Sequence, residues 1–124
     1  MNVIGGAAKS ASGKVFQHDG PGTMSIRNSC VEGFGKLYRS CGNCSTQYKR
    51  SVVIDNVIAR SGKVIAGINT NYGDTARFTR LTVTGSPVIC EKYTGNDDGD
   101  EPVRIGSGSD STNCLYSSSN IIGQ

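Results

Sequence analysis

Tryptophan is absent from this 124-residue chain, histidine occurs once and proline three times. Each shortage excludes something. With no tryptophan and 35% hydrophobic residues, the core is modest and there is room for one domain. The lone histidine, His18, lies far in sequence from the single Cys-x-x-Cys motif, which leaves zinc short of ligands. His18-Asp19-Gly20-Pro21 reads as a turn, with no serine nucleophile motif beside it, and is assigned no catalysis. No stretch carries a 3.6-residue apolar period, so helices are not expected. The net charge of +3 comes without an arginine-rich run or an aromatic RNA-binding signature, which argues against nucleic acid. No apolar run is long enough to span a membrane, and no signal-type leader follows Met1, so either the chain is not secreted or its beginning is missing.

What is abundant is glycine, at 17 residues, with many serines, threonines and asparagines. That composition favours short strands and turns, and predicts an all-β protein. The expected strands are Asn2 to Ile4, Lys14 to Gln17, Thr23 to Arg27, Lys36 to Arg39, Ser51 to Asn56, Val64 to Ile68, Arg77 to Val83 and Val88 to Cys90. A repeat organises them. Gly13-Lys14-Val15-Phe16, Gly35-Lys36-Leu37-Tyr38 and Gly62-Lys63-Val64-Ile65 share one form, and Ile26-Arg27-Asn28 matches Ile54-Asp55-Asn56. A strand-rich period in the twenties fits the coil of a parallel β-helix, with a flat antiparallel sandwich as the alternative. In a helix of coils, Lys14, Lys36 and Lys63 form a row about 4.8 Å apart. Like charges stacked this way destabilise, and make sense against an extended anion. Residues 1–90 are read as coils and 91–124 as an irregular cap, with the tail from Ser117 to Gln124 loose.

Lys36 and Arg39 sit three places apart just before Cys41-Gly42-Asn43-Cys44. In a regular strand they point to opposite faces, and a bend near Ser40 is needed to bring them together. Five cysteines in so short a chain suggest an oxidising compartment. The expected pairs are Cys41 with Cys44, locking the turn after Arg39, and Cys90 with Cys114, closing the cap. Cys30 is left free and buried. Asp97, Asp98, Asp100 and Glu101 have the composition of a calcium loop without the EF-hand order, and are read as a solvated loop.

Several longer segments together resemble a known family. They are Lys14-Val15-Phe16-Gln17-His18, the run Phe34-Gly35-Lys36-Leu37-Tyr38-Arg39-Ser40-Cys41-Gly42-Asn43-Cys44, then Gly67-Ile68-Asn69-Thr70-Asn71-Tyr72-Gly73-Asp74, and Tyr93-Thr94-Gly95-Asn96. In this order they are similar to polysaccharide lyase family 3, the small secreted pectate lyases, from about Asn2 to Tyr116. The resemblance implies a right-handed parallel β-helix that cleaves polygalacturonate by calcium-assisted β-elimination. The C5 proton, alpha to the uronate carboxylate, becomes acidic when that carboxylate is neutralised. By the resemblance Lys14 is the base, and Lys36 and Arg39 bind substrate carboxylates. A lysine base has to be uncharged, which neighbouring cations favour.

The resemblance further implies Ca2+ as cofactor, a secreted monomer, pectate as partner, and neither nucleic acid nor membrane. It also marks departures. The family's calcium-binding acids lie mostly in coils before the Lys14 motif, so the β-helix is expected to be incomplete at its N-terminal end. The main calcium ligands are expected upstream of Met1, with no metal ligand within this chain. Gly13 and Gly33 stand where the family often carries acids. A first coil without upstream neighbours exposes an apolar end. The isolated chain is therefore expected to turn over little substrate. The competing reading is a truncated or degenerate, non-catalytic β-helix that binds acidic polysaccharide.

Overall fold

A computed structural model describes residues 2–4 and 7–123, with side chains from position 13 onward. The strands are β1 (Asn2–Ile4), β2 (Ala7–His18), β3 (Gly22–Ser40), β4 (Arg50–Arg60), β5 (Val64–Asn69), β6 (Thr75–Thr84), β7 (Val88–Thr94), β8 (Val103–Ser107), β9 (Cys114–Leu115) and β10 (Ile121–Gly123). Two short 3-10 turns, Thr70–Tyr72 and Ser118–Asn120, complete the elements. Every strand expected from the sequence lies within one of these.

The pairing is that of a solenoid and not of a sandwich. The first half of β3 pairs in parallel with β4 (Gly22↔Arg50 to Glu32↔Arg60), and its second half with β5 (Lys36↔Val64, Arg39↔Gly67). β4 continues onto β6 and β5 onto β7, again in parallel. β2 pairs with β3 from Ala7↔Cys30 to His18↔Ser40, slipping register between Ala11 and Lys14. The result is about three stacked coils of a parallel β-helix.

The corners explain the shorter repeat. Asn28 and Asn56 lie at equivalent positions of β3 and β4, with φ of 53° and 55°. Asparagine tolerates this left-handed backbone better than most side chains. Asn56 Nδ2 donates to Asn28 Oδ1 at 2.8 Å, joining one corner to the next. Arg80, φ 47°, makes the same corner in β6, and its guanidinium reaches Asp55 at 2.7 Å.

Inside, equivalent residues stack in rows. Ile26, Ile54 and Phe78 form one, and Leu37 and Ile65 belong to another, all at most 1% exposed. Each such side chain contributes roughly 1.5–3 kcal/mol by leaving water.

Several expectations are corrected. Lys36 pairs with Val64, so Lys63 stands one position out of the lysine row. The cause is local: the Phe34 ring packs onto Gly62, where a Cβ would lie 2.1 Å from the ring, and β5 begins only at Val64. Cys30 is free but half-buried, with Arg60 Nη1 3.6 Å from its sulfur. Over its described residues, 117–123, the tail is not loose, because β10 pairs in parallel with β6 and Ile121, 8% exposed, covers Leu81. The expected cysteine pairs are both bridged, Cys41 to Cys44 and Cys90 to Cys114. The expected apolar surface of the first coil falls on side chains outside the described residues.

Candidate active site

Strands β2, β3, β5 and β7 lie side by side and present one outer face. Two registers cross it: Lys14, Lys36, Val64 and Val88 in one, and Gln17, Arg39, Gly67 and Glu91 in the other. Lys14, Gln17, Lys36, Arg39 and Tyr93 line a common groove there, whose far wall is Glu101 and Pro102. Lys36 and Arg39 therefore share a face. Leu37 and Tyr38 between them are consecutive and both 0% exposed, which breaks strict alternation. The break lies at Leu37 and Tyr38, ahead of the expected Ser40.

Arg39 is the floor of this groove. It is only 4% exposed, and its guanidinium lies over the Tyr93 ring with 4.0 Å from Cζ to the centroid. Nη1 donates to the Ser40 carbonyl at 2.6 Å and to Asn69 Oδ1 at 3.0 Å. Burial lowers its pKa from the ordinary arginine value, opposed by Tyr93, Asp74 and Glu91, and the group stays a cation. The disulfide turn touches it too: a Cβ on Gly42 would stand 2.5 Å from Arg39 Nη2.

Glu91, which no sequence motif flagged, ties the cations together. Its carboxylate is 3.5 Å from Lys36 Nζ, accepts from Arg104 Nε at 2.7 Å, and accepts the Tyr93 hydroxyl. Burial by itself raises the Glu91 carboxyl, but the Tyr93 and Arg104 hydrogen bonds and the charges of Lys36 and Arg104 outweigh it and hold it below the usual value. The Tyr93 hydroxyl is pushed up to about 12 by burial and by Glu91, so it stays a donor. Lys14 is exposed at the rim, donating to Gln17 Oε1 at 3.3 Å.

Beneath the groove is a polar scaffold. Arg50, 0% exposed, donates to the carbonyls of Asp19, Gly20 and Cys41 and to Gln47 Oε1. Asp74, also 0% exposed, accepts the amides of Arg50 and Asn69 at 2.9 Å each. His18 Nδ1 meets the Tyr38 hydroxyl at 2.7 Å, and that hydroxyl meets Ser40 Oγ at 3.1 Å.

The described acids do not make a calcium cage. Among the described residues the one cluster with metal-ligand spacing is Asp19, Cys41 and Cys44, and both sulfurs are spent in a disulfide. Glu91 is committed to cations. Asp97, Asp98, Asp100 and Glu101 are exposed, on a loop folded around the Asn96 side chain, which accepts the amides of Asp98 and Asp100. Calcium wants six to eight converging oxygens, and these do not converge.

Known proteins share both sequence and fold. The pectate lyase family model matches residues 1–100. Pectate lyase H of Emericella nidulans is 50% identical over 117 residues, which cover 94% of this chain and 45% of that protein. Probable pectate lyase D of Aspergillus fumigatus is 51% identical over 117 residues, covering 94% and 48%. The chain thus spans about half the length of these curated relatives. Among solved structures, the catalytic domain of pectate lyase PelI from Erwinia chrysanthemi superposes with a TM-score of 0.90 at 31% identity, over 100% of this chain and 62% of that one. PelI in complex with tetragalacturonic acid superposes at 0.87 with 32% identity, over 100% and 44%. Sequence, coil geometry and these likenesses agree, and the chain belongs to the pectate lyase family.

Proposed function

We propose that the groove serves pectate lyase chemistry, the β-elimination of (1→4)-α-D-galacturonan in pectin catabolism. The observation that carries this reading is the convergence of Lys14, Lys36 and Arg39 on one groove of a β-helix. Lys36 and Arg39 neutralise substrate carboxylates, so that the C5 proton acidifies. Lys14 Nζ, at the rim, accepts that proton; the C5 electron pair forms the C4–C5 double bond, the C4–O bond breaks, and the departing oxygen takes a proton from water. The Tyr93 face backs Arg39, and Gln17 holds the Lys14 amine. A calcium ion would add to the neutralisation of the uronate carboxylate, and its ligands would be oxygens other than those of the described acids. Tetragalacturonic acid bound to the similar PelI supports an acidic galacturonan as substrate. Two disulfides support an extracellular, secreted setting, and the groove is built within one chain, as a monomer requires.

A second reading, a β-helix that binds acidic polysaccharide without cutting it, draws on the lack of a calcium cage among the described residues. One experiment separates the two. The 124-residue chain is incubated with polygalacturonate, with calcium or with chelator, while binding and the ultraviolet absorbance of the unsaturated product are followed. Binding weakened tenfold or more by Lys36→Ala supports the groove, and turnover abolished by Lys14→Ala establishes the lyase. Binding without turnover leaves the second reading, and no binding at all sinks both.

A further inference from the structure

Glu91 is a buried carboxylate beside the groove, in contact with two of its lining residues, Lys36 and Tyr93. For a surface that binds polyanions, an acid in that place is a liability on Coulombic grounds alone. Its surroundings show why it is there. It is 7% exposed and in contact with three side chains, Lys36, Arg104 and Tyr93. Through Lys36 it touches one proposed substrate ligand directly. Through the Tyr93 hydroxyl it anchors the ring under Arg39, the other. The register makes both possible, because Glu91 pairs with Gly67, which in turn pairs with Arg39. Gly67 presents no side chain, so the Arg39 chain crosses it and reaches the Tyr93 ring.

We infer that Glu91 is the positioning residue of the groove, a carboxylate that aims Lys36 by direct contact and Arg39 through Tyr93. This rests on the reading of the groove as a galacturonan site. The role gives Glu91 a sign opposite to that of a simple charge. Replacing it by glutamine adds one positive charge to the net +3, which alone strengthens binding of a polyanion. Loss of aim weakens it.

The test uses tetragalacturonic acid as probe, by calorimetry at low salt. Glu91→Gln is expected to weaken binding at least fivefold, and Tyr93→Phe, which keeps the ring and loses the hydroxyl, to weaken it about threefold. The double variant is expected to be no worse than Glu91→Gln alone, since the two share one contact. Unchanged or tighter binding in Glu91→Gln overturns the inference, and so do additive losses. A second arm needs no ligand. The Arg39 Nε–H resonance, shifted by the ring beneath it, is expected to move in Glu91→Gln toward its position in Tyr93→Leu, where the ring is gone. A resonance left at the wild-type position overturns the inference whatever the binding data say. Failure of the wild-type chain to bind the probe counts against the functional reading above, and this second arm then decides the role of Glu91.

Discussion

Arg39 lies across the backbone of Gly67, so closely that a Cβ there would come within 2.9 Å of Arg39 Cδ and 3.3 Å of Tyr93 Cε1. The contact leaves no room for a methyl group without moving the guanidinium off its ring. Gly67→Ala is therefore expected to weaken galacturonan binding about tenfold, equivalent to ~1.4 kcal/mol. The fold should tolerate it better, because the obstacle is a side chain and not backbone. Titration calorimetry and a thermal melt on the same variant check this, and binding equal to wild type refutes the packing argument.

Acid should loosen the coil junction through His18. Burial first, then the charge of Arg50, lowers its pKa from the ordinary histidine value, against opposing contributions from the Pro21 backbone and Asp74. A depressed folded-state value means that the unfolded chain takes up the proton first. The stability contributed by neutral His18 is thus present above about pH 6.5 and lost as pH falls toward and through the folded value. Denaturant midpoints measured from pH 7.5 to 5 should decline, and His18→Gln should flatten that decline. A His18→Gln profile parallel to wild type would count against it.

The two disulfides should differ in worth. Cys90 and Cys114 are separated by 24 residues and Cys41 and Cys44 by 3. Loop-closure entropy puts the longer at roughly 3–4 kcal/mol and the shorter at about 2. Double serine variants of each pair, unfolded in urea, should show the larger loss for Cys90 and Cys114. The Cys41 and Cys44 pair should instead show the larger loss of binding, since Gly42 in that turn abuts Arg39.

Arg50→Met should destabilise the fold. It takes the Arg50 donor from the part-buried carbonyls of Asp19 and Gly20 and one of three donors from that of Cys41, which keeps Gln47 Nε2 and Asn69 Nδ2, an expected loss of roughly 1–3 kcal/mol. Arg50→Lys should recover little, because one ammonium cannot span the positions that the guanidinium fork reaches. Urea midpoints for both variants are the measure.

Much of this was legible in the residues. Glycine-punctuated strands with a period in the twenties gave the solenoid, and the Asn28 and Asn56 match marked a corner that needs a left-handed backbone. Lys14 and Lys36 were placed in one row, as β2 and β3 pair them. Lys63 was misplaced by one residue, because similarity of Gly-Lys tetrapeptides says nothing of where Phe34 will pack. Glu91 carries no motif, lying between Cys90 and the Tyr93-Thr94-Gly95-Asn96 segment, and its place beside the groove follows from β7 running on to Thr94. Counting the β5 to β7 register forward from Gly67 reaches Glu91, so a signal existed. Arg50 had none, since an isolated arginine looks the same in sequence whether it faces water or carbonyls, and Asp74 lies in the Gly67 to Asp74 segment of the resemblance, where nothing marks it as buried.

The direction of β8 has a consequence for how such molecules meet. All the other strand pairs described are parallel, but β8 runs antiparallel to β7, and β10 covers the neighbouring edge of β6. A second solenoid approaching that end would find its incoming strand opposed by one of reversed polarity, in a register no coil can continue. The hydrogen-bond pattern itself therefore works against end-on growth into a filament at β8, alongside the Arg104 charge in that strand and Pro102 just before it.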